Sequence, residues 1–314
     1  MKNHFAPPAG DGNGAPVSIS KRFFFGLVLF VMTGFAVSSS LAERGATGTP
    51  AASPGLSDPH LPRPDHIVLV IEENKSYAQI IGNPDAPYIN ALAGQGALFS
   101  RSFGVAYPSQ PNYLALFSGS TQGITDNSCP HSFSGENLAS ELIRAGLSFG
   151  IYSESMPSPE YTGCRHGTYQ RKHNPAANWQ EVNVPASSNM PFTAFPEEYG
   201  KLPTVSLVVP DMEHGMHDGS IRKGDDWLKT HLDPYVRWAR THNSLLIVTW
   251  DEDDRRSNNR IPTVFVGPMV RSGVYPGRID HTVILRTIVD MYGLRPVGKS
   301  ANVAPITDVW ETSR

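Results

Sequence analysis

The sequence predicts an α/β layered domain built around a mostly parallel sheet. Four apolar, β-branched runs lack polar alternation, which is typical of strands that are buried on both faces of a parallel sheet. These runs are residues 66–71, 148–152, 205–210 and 245–250, and residues 262–267 form a fifth. Helical patterns lie between the runs, and an alternation of strands and helices is typical of layered α/β folds.

Three helices are expected from their patterns and end signals. Residues 136–147 place leucines and an isoleucine on one face. Asp233 and Pro234 fit the N-cap and the first residue of a second helix. Asp280 is expected to cap a third helix, and Gly293 follows its last apolar residue.

The composition excludes several classes of protein. The chain has 314 residues, of which 39% are hydrophobic and 10% aromatic, so it is long and apolar enough to bury a core. The net charge is −3, and the pairs Arg171-Lys172 and Arg255-Arg256 are too short for a patch that follows nucleic-acid phosphates. Two cysteines are too few for a disulfide scaffold or a cysteine-rich metal site.

The N-terminal region has the features of an export signal. A basic pair at residues 21–22 precedes an apolar run at residues 23–37, and Ser40 and Ala42 fit the small residues before a cleavage site. A membrane span needs about 20 apolar residues, so this run is short for one. We expect residues 1–42 to be a signal peptide, with an uncleaved N-terminal anchor as the alternative.

The rest of the chain is expected to be one folded domain behind a linker. Residues 43–64 are rich in Gly, Ala, Ser and Pro and read as flexible, and residues 65–314 contain all the strand and helix patterns. An export signal places this domain in the periplasm or outside the cell. An even number of cysteines in an exported chain favours a disulfide between Cys129 and Cys164, the alternative being two buried thiols.

Acidic residues follow three of the apolar runs, at the first or second position after each run. They are Glu73, Asp211 and Asp251. Open α/β sheets bind ligands at the carboxyl ends of their strands, and acids gathered there repel each other unless a cation lies among them. The sequence therefore predicts a divalent metal site at this edge, and three solvated turns are the alternative.

Ser109 is a candidate nucleophile. Pro111 favours the start of a helix, which would place Ser109 just before a helix N-terminus, where phosphate oxygens are stabilised. One interpretation is a metal-activated serine nucleophile, and the alternative is a serine that simply caps the helix. No Gly-x-Ser-x-Gly motif surrounds Ser109, which argues against an α/β-hydrolase.

Three of the eleven histidines lie beside these features. His217 follows Asp211 by six residues, His281 follows Asp280 directly, and His173 lies in a basic stretch. Histidine together with carboxylates is ordinary ligation for a hydrolytic metal such as zinc. The alternative is that each histidine is a surface or hydrogen-bonded residue.

Six motifs, in order, resemble a known family. They are VIEENKSY, YPSQPNYLALFSGS, YQRKHNP, VPDMEHGMHDGSIRKGDDWL, TWDED and DHTVILRT. Together they resemble the phosphoesterase family of acid phosphatases and non-specific phospholipases C, in the alkaline-phosphatase-like superfamily. The resemblance covers about residues 66–292. It implies a three-layer α/β/α sandwich and makes residues 65–314 a phosphoesterase catalytic domain.

The resemblance also implies roles for individual residues. By motif position, metal ligands would be Glu73, Asn74, Asp251 and Glu252, and the metal would also bind the nucleophile Ser109. The superfamily commonly has Asp-His where this chain has Asp251-Glu252. The metal is expected to be Mg²⁺, Ca²⁺, Zn²⁺ or iron.

Further residues are expected around the phosphoryl group. Asn112, Lys172 and His173 would contact it, and His217 and His281 would act in catalysis; the alternative for the three histidines is that they hold a second metal. A second metal at His217 would need Asp211 or Asp218, which makes Asp211 a further candidate ligand.

These observations predict a metal-dependent enzyme that hydrolyses small phosphate monoesters through a phosphoserine intermediate. If a protonated His217 or His281 donates to the leaving oxygen, activity should be highest below neutral pH. One alternative is a phospholipase C that acts on phospholipid head groups. The other is an exported protein that binds metal or phosphate without turnover. No nucleic-acid partner is expected, and no stable membrane association beyond an N-terminal anchor.

Overall fold

The computed structural model describes residues 61–311. The expected signal segment, residues 1–42, and most of the expected linker lie outside this range. Residues 61–64 contact the folded domain, since the Arg63 guanidinium donates to the Tyr292 carbonyl and the Tyr292 hydroxyl donates to the Pro64 carbonyl. None of the helices in residues 61–311 combines the length and the hydropathy of a membrane span.

Strands and helices alternate along the described chain. The strands are β1 (His66–Glu72), β2 (Ala97–Phe103), β3 (Phe149–Ser153), β4 (Arg165–His166), β5 (Tyr169–Gln170), β6 (Asn189–Pro191), β7 (Val205–Val209), β8 (Ser244–Trp250), β9 (Arg260–Ile261), β10 (Thr263–Val266) and β11 (Gly273–Asp280). The α-helices are α1 (Tyr77–Ile80), α2 (Pro87–Gln95), α3 (Ser109–Ser118), α4 (Leu138–Arg144), α5 (Ile221–Ala239) and α6 (His281–Met291).

One large sheet forms the centre of the fold. Its strand order is β11-β2-β10-β8-β1-β7-β3-β6, with β9 paired to β2, while β4 and β5 form a separate hairpin. Most pairs are parallel, and β10 runs antiparallel to both β8 and β2. The expected mostly parallel sheet is confirmed. Because β8, β1 and β7 are parallel neighbours, the acids that follow them leave the sheet at one edge.

Helices cover both faces of this sheet. In β1, Ile67, Leu69 and Ile71 join the core under α3, α4 and α6, whereas Val68 and Val70 join the core under α2 and α5. A strand covered on both faces has no solvent side, so its sequence shows no polar alternation. The three-layer α/β/α arrangement is therefore present.

The expectation that Asp233 and Pro234 begin a helix was wrong. Helix α5 begins after Ser220, whose side chain accepts a hydrogen bond from a first-turn N–H, and Pro234 lies inside it. An internal proline removes one helical hydrogen bond. The helix continues because its apolar stripe, including Leu228 and Leu232, is fully buried against the sheet.

The other helix signals were closer to the structure. Helix α3 begins at Ser109 itself, so Pro111 lies within the first turn rather than at its first position. Helix α4 is shorter than predicted, because Asn137 caps it. Asp280 caps α6 through two backbone N–H groups, as predicted, and Gly293 beyond the helix has a φ of +64°.

A disulfide joins Cys129 to Cys164, as predicted. The buried Arg171 guanidinium donates to the carbonyls of Thr162 (2.5 Å) and His131 (2.7 Å), one on each side of this bridge. The disulfide-bonded loops are therefore attached to the chain segment that continues into the predicted phosphoryl-binding residues.

Asp225 of α5 caps a different helix. Helix α2 begins after Ala86, which has no polar side chain. The buried Asp225 carboxylate accepts hydrogen bonds from the backbone N–H groups of Tyr88 (3.0 Å) and Ile89 (2.8 Å) in the first turn of α2. The two helices on this face are thus joined by polar contacts as well as by apolar packing.

Replacing Asp225 should destabilise the fold far more than replacing its neighbour. We expect Asp225→Ala to lower the free energy of unfolding by about 1.5–3 kcal/mol, because it removes a charged acceptor from buried donors. Asp226→Ala, at an exposed position of the same helix, should change it by less than about 0.5 kcal/mol. Urea unfolding of both variants measures the difference, and equal losses would contradict the capping role.

Candidate active site

Residues from three chain segments meet at the carboxyl edge of β1 and β8. Glu73 and Asn74 follow β1, Asp251 and Glu252 follow β8, and Ser109 begins α3. The Ser109 hydroxyl donates to Glu73 Oε2 (3.2 Å) and lies 3.5 Å from Glu252 Oε1. The Asn74 N–H donates to Asp251 Oδ1 (3.1 Å). The structure therefore brings together the predicted nucleophile and the four main predicted metal ligands.

Three carboxyl groups of this cluster are buried close to one another. Burial raises the pKa of Glu73 well above its usual value, and the nearby charge of Asp251 raises it further. Burial and then Asp251 likewise raise the pKa of Glu252, and burial raises that of Asp251. As carboxylates these groups repel each other, so a cation among them would stabilise their charged forms.

Two buried oxygen atoms in the cluster have no hydrogen-bond partner. They are Asn74 Oδ1 and Asp251 Oδ2. Buried polar atoms without partners are costly and rare, which makes them candidates for contact with a ligand. The donor set consists of carboxylate, amide and hydroxyl oxygens, which suit a hard divalent cation. The residues present therefore fit a metal ion.

Tyr113 and His173 hold Glu73 in place. The Tyr113 hydroxyl donates to Glu73 Oε1, His173 Nε2 lies 3.0 Å from the same oxygen, and the two rings stack with centroids 5.0 Å apart. Burial, and then the charges of Lys172 and His217, lower the pKa of His173 well below its usual value, which favours a neutral ring. Tyr113 was not predicted, although it lies four residues after the nucleophile, on the same helix face.

Lys172 and His217 form a less buried pair beside His173. Lys172 Nζ lies 3.3 Å from His217 Nε2, and His217 Nδ1 lies 2.7 Å from Asp218 Oδ1. Burial lowers the pKa of His217, the hydrogen bond with Asp218 raises it, and the charge of Lys172 lowers it, so the pKa lies below its usual value. This pair adds a cation and a titratable group to the site.

Asn112 and His281 are buried and contact the chain segments that carry the ligands. The Asn112 side chain exchanges hydrogen bonds with the backbone of Ala106, and its Nδ2 lies 3.4 Å from Glu252 Oε2. His281 Nε2 lies 2.7 Å from the carbonyl oxygen of Asp251. Both residues lie at the site, where they fix the positions of their neighbours.

Asp211 follows β7 at the same edge of the sheet, but its carboxylate binds residues outside the cluster around Ser109. It accepts hydrogen bonds from Ser155 Oγ (2.7 Å) and Thr168 Oγ1 (2.6 Å) and from two backbone N–H groups. Burial raises the pKa of Asp211, but these hydrogen bonds, that of Thr168 first, lower it below its usual value. With Glu154 and His214, Asp211 forms a triad whose potential ligand atoms lie within 4.8 Å of one another.

This triad is a second place where a cation could bind. In the structure its atoms already have partners, since Glu154 contacts His214 Nδ1 (2.9 Å) and accepts hydrogen bonds from Trp227 Nε1 (2.8 Å) and the Asp211 N–H (3.0 Å). A cation there would replace existing hydrogen bonds. The cluster around Ser109 differs, because it contains oxygen atoms without partners.

A loop held by several hydrogen bonds follows Asp251 and Glu252, the predicted metal ligands after β8. The buried Asp253 carboxylate accepts hydrogen bonds from the N–H groups of Arg255 (2.6 Å) and Asn259 (3.0 Å), and the Tyr107 hydroxyl also donates to it. Burial raises the pKa of Glu252, and the charge of Arg255 opposes that shift. One feature of the sequence points to this loop, the run of four acids that follows β8.

Comparison with known proteins places the chain in a family. The model of the Phosphoesterase family matches residues 83–295, which is more than half of the chain.

The chain belongs to the phosphoesterase family.

Relatives of this phosphoesterase include named phosphatases. It is 50% identical over 259 residues to a phosphatidylinositol-3-phosphatase of Mycobacterium tuberculosis, covering 82% of this chain and 86% of that protein. It is 28% identical over 239 residues to an acid phosphatase of Aspergillus fumigatus, covering 68% of this chain and 53% of that protein. The phosphoesterase thus spans about half the length of the fungal enzyme. Family and relatives show a hydrolase that acts on phosphoric ester bonds.

Solved structures confirm the predicted fold of the phosphoesterase. An alkaline phosphatase superfamily protein from Vibrio parahaemolyticus matches with a TM-score of 0.55 and 13% identity, covering 80% of this chain and 72% of that one. The lipoteichoic acid synthase LtaP of Listeria monocytogenes matches with a TM-score of 0.50 and 10% identity, covering 74% of this chain and 72% of that one. At these identities the likeness shows the fold alone.

Divalent cations should stabilise the phosphoesterase through the cluster around Ser109. At a concentration one hundred times its dissociation constant, a cation that binds only the folded state adds about 2.7 kcal/mol of stability. Asp251→Asn should abolish the shift in melting temperature, and it should raise the stability of the metal-free protein, because it removes one of the mutually repelling carboxylates. Calorimetry of chelator-dialysed protein with Mg²⁺, Mn²⁺, Ca²⁺ and Zn²⁺ measures both effects.

Glu154→Gln is the matched control for this experiment. It removes a carboxylate from the triad with Asp211 and His214 and leaves the cluster around Ser109 intact. We expect the cation-induced shift to persist in this variant. Loss of the shift in Glu154→Gln with retention in Asp251→Asn would place the cation at the triad instead.

Proposed function

We propose that this chain is a metal-dependent phosphomonoesterase that transfers a phosphoryl group to Ser109 and then to water. The observation that carries the proposal is the position of the Ser109 hydroxyl. It lies in the first turn of α3, within 3.5 Å of Glu73 and Glu252, beside buried oxygen atoms that have no partner. A helix N-terminus favours phosphoryl oxygens, and the surrounding donor set fits a cation.

The metal would be held by Glu73, Asn74, Asp251 and Glu252, with Ser109 beside it. When bound, a divalent cation lowers the pKa of a coordinated hydroxyl and neutralises charge on phosphoryl oxygens. Among the metals expected, the oxygen-only donor set favours Mg²⁺ or Ca²⁺ over Zn²⁺.

The protein's own groups orient and protonate the reactants. The hydrogen bond to Glu73 Oε2 fixes the direction of the Ser109 hydroxyl. As the Ser109 Oγ–phosphorus bond forms, the bond to the leaving oxygen breaks, and Lys172 and the N-terminus of α3 favour the negative charge of the phosphoryl group. The Ser109 proton passes to Glu73 Oε2, which accepts its hydrogen bond, and His217 gives a proton to the leaving oxygen. Water then attacks phosphorus and gives one proton to His217, the bond between phosphorus and Ser109 Oγ breaks, phosphate leaves, and Glu73 returns the proton to Ser109.

Among the histidines, His217 is the better placed proton donor. It is partly exposed, so its ring can reach a substrate that enters from solvent. His281 is fully buried and is bound to the Asp251 carbonyl, which makes it a positioning residue. His173 is also buried and lies against Glu73.

We propose phosphatidylinositol 3-phosphate as a substrate. This rests on the relative that shares 50% identity over most of both chains and is named a phosphatidylinositol-3-phosphatase. The curated relatives that match this chain are named as phosphatases, which favours monoester hydrolysis over the phospholipase C alternative.

We also propose that the enzyme is exported. The signal-like segment at residues 1–42 supports this, as does the disulfide between Cys129 and Cys164. Disulfides persist in oxidising compartments outside the cytosol.

Ser109→Ala should lower kcat for p-nitrophenyl phosphate by at least about 10³-fold, because it removes the nucleophile. Ser118→Ala is the matched control, since this buried serine lies at the other end of α3 and donates to the Leu114 carbonyl. Acid-quenched wild-type enzyme should yield a peptide phosphorylated at Ser109. Activity of Ser109→Ala above a few per cent of wild type would contradict the nucleophile assignment. If wild-type enzyme turns over p-nitrophenyl phosphorylcholine faster than p-nitrophenyl phosphate, the phospholipase C alternative is favoured.

The rate should fall as pH rises through the pKa of His217, because only the protonated ring can donate to the leaving oxygen. Burial and Lys172 lower this pKa, so the fall should begin below neutral pH. Asp218→Asn removes a group that raises the pKa, and it should move the fall to lower pH. Profiles of kcat against pH for wild type, Asp218→Asn and the exposed control Asp226→Asn measure the pH at which the rate falls. An unmoved profile in Asp218→Asn would argue against His217 as the donor.

A further inference from the structure

Arg255 presents a free guanidinium beside the proposed active site. Its Cζ lies 4.9 Å from the centroid of the Tyr107 ring, and Tyr107 precedes Ser109 by two residues. Arg255 is exposed, and no carboxylate within residues 61–311 lies within ion-pair distance of it. Its neighbour Arg256 points elsewhere, with Nε 3.8 Å from Asp254 and a side chain that is 85% exposed.

The position of Arg255 is fixed by buried groups. Asp253 is 1% exposed, and its carboxylate accepts the Arg255 N–H and the Tyr107 hydroxyl. Arg255 has a φ of +66°, in the left-handed region that non-glycine residues rarely adopt. Such a conformation persists where the surroundings enforce it, and it is common at ligand-binding sites. One buried carboxylate therefore sets both the backbone of Arg255 and the ring on which its guanidinium lies.

We propose that Arg255, stacked on Tyr107, binds a second anionic group of the substrate and so selects phosphate esters that carry a second phosphate or a phosphodiester. This inference rests on the proposed function. A guanidinium on an aromatic face keeps its N–H edge free, and that planar edge binds phosphate oxygens in pairs.

Arg255 is suited to a second group rather than to the transferred one. The phosphoryl group that reacts must reach Ser109, which is 1% exposed and lies among the carboxyl groups. Arg255, in contrast, stacks on the Tyr107 ring and is exposed to solvent. For an inositol ring that carries two phosphates, the proposal assigns one phosphate to the serine and the other to the guanidinium.

The test compares an inositol monophosphate with the matching inositol bisphosphate. The measured quantity is the ratio of kcat/KM for the bisphosphate to kcat/KM for the monophosphate. We expect Arg255→Ala to lower this ratio about tenfold, as loss of one charge-assisted pair of hydrogen bonds would. Arg255→Lys should lower it less, because it keeps the charge but loses the planar edge. Arg256→Ala, the matched control, should leave the ratio unchanged.

Three outcomes would overturn the proposal. An equal loss on both substrates would show that Arg255 acts on the reacting phosphate. An equal fall of the ratio in Arg256→Ala would show a general effect of positive charge. The third outcome comes from an additional assay with phosphatidylinositol 3-phosphate in phosphatidylcholine vesicles. If Arg255→Ala lowers kcat/KM only in this assay, Arg255 contacts the lipid surface.

Binding separates failure of this inference from failure of the proposed function. Calorimetry of inositol bisphosphate with Ser109→Ala protein, with and without Arg255→Ala, needs no turnover. Weaker binding in the double variant supports the subsite even if wild-type enzyme hydrolyses no monoester, and equal binding overturns it. Thermal melts and the Arg255→Lys variant identify any loss that comes from misfolding.

Discussion

Mutual repulsion among buried carboxyl groups is the constraint around which this site is built. Glu73, Asp251 and Glu252 lie close together because their strands, β1 and β8, are parallel neighbours. Residues outside the cluster contact each group: Tyr113 and His173 contact Glu73, His281 contacts the backbone of Asp251, and Asn112 Nδ2 lies 3.4 Å from Glu252. The fold thus buries carboxyl groups that repel each other when charged, an arrangement that is stable when a cation or protons compensate for them.

The same constraint explains the hydrogen bonding around the site. Most buried polar groups there have partners, yet Asn74 Oδ1 and Asp251 Oδ2 do not. Asp211 leaves the sheet at the same edge, and its oxygens are instead shared among Ser155, Thr168 and backbone N–H groups. Glu73 and Asp211 follow the neighbouring strands β1 and β7 but have different contacts: Glu73 accepts a hydrogen bond from Ser109, and Asp211 binds the loops that carry Ser155 and Thr168.

Much of this could be predicted from the sequence, for identifiable reasons. A strand such as β1, covered on both faces, must be apolar throughout, so the sheet and the strand-end acids were evident from local pattern. Contacts between residues that are far apart in the chain could not be predicted from such a local pattern. Pro234 lies inside α5 because burial of the whole helix outweighs one lost hydrogen bond. The orientation of the Asp211 carboxylate depends on Ser155 and Thr168, which are 56 and 43 residues away.

The reversed direction of β10 has a consequence for how such enzymes diverge. Because β10 is antiparallel to β8, the chain returns to the sheet without a crossover helix, and the segment between them is attached to the sheet at both ends. That segment begins with Asp251 and Glu252 and continues into the turn that carries Arg255. Insertions or substitutions in the turn leave every layer of the fold in place. Natural selection can therefore alter ligand preference in this turn, while Asp251 and Glu252 and the reaction chemistry are inherited unchanged.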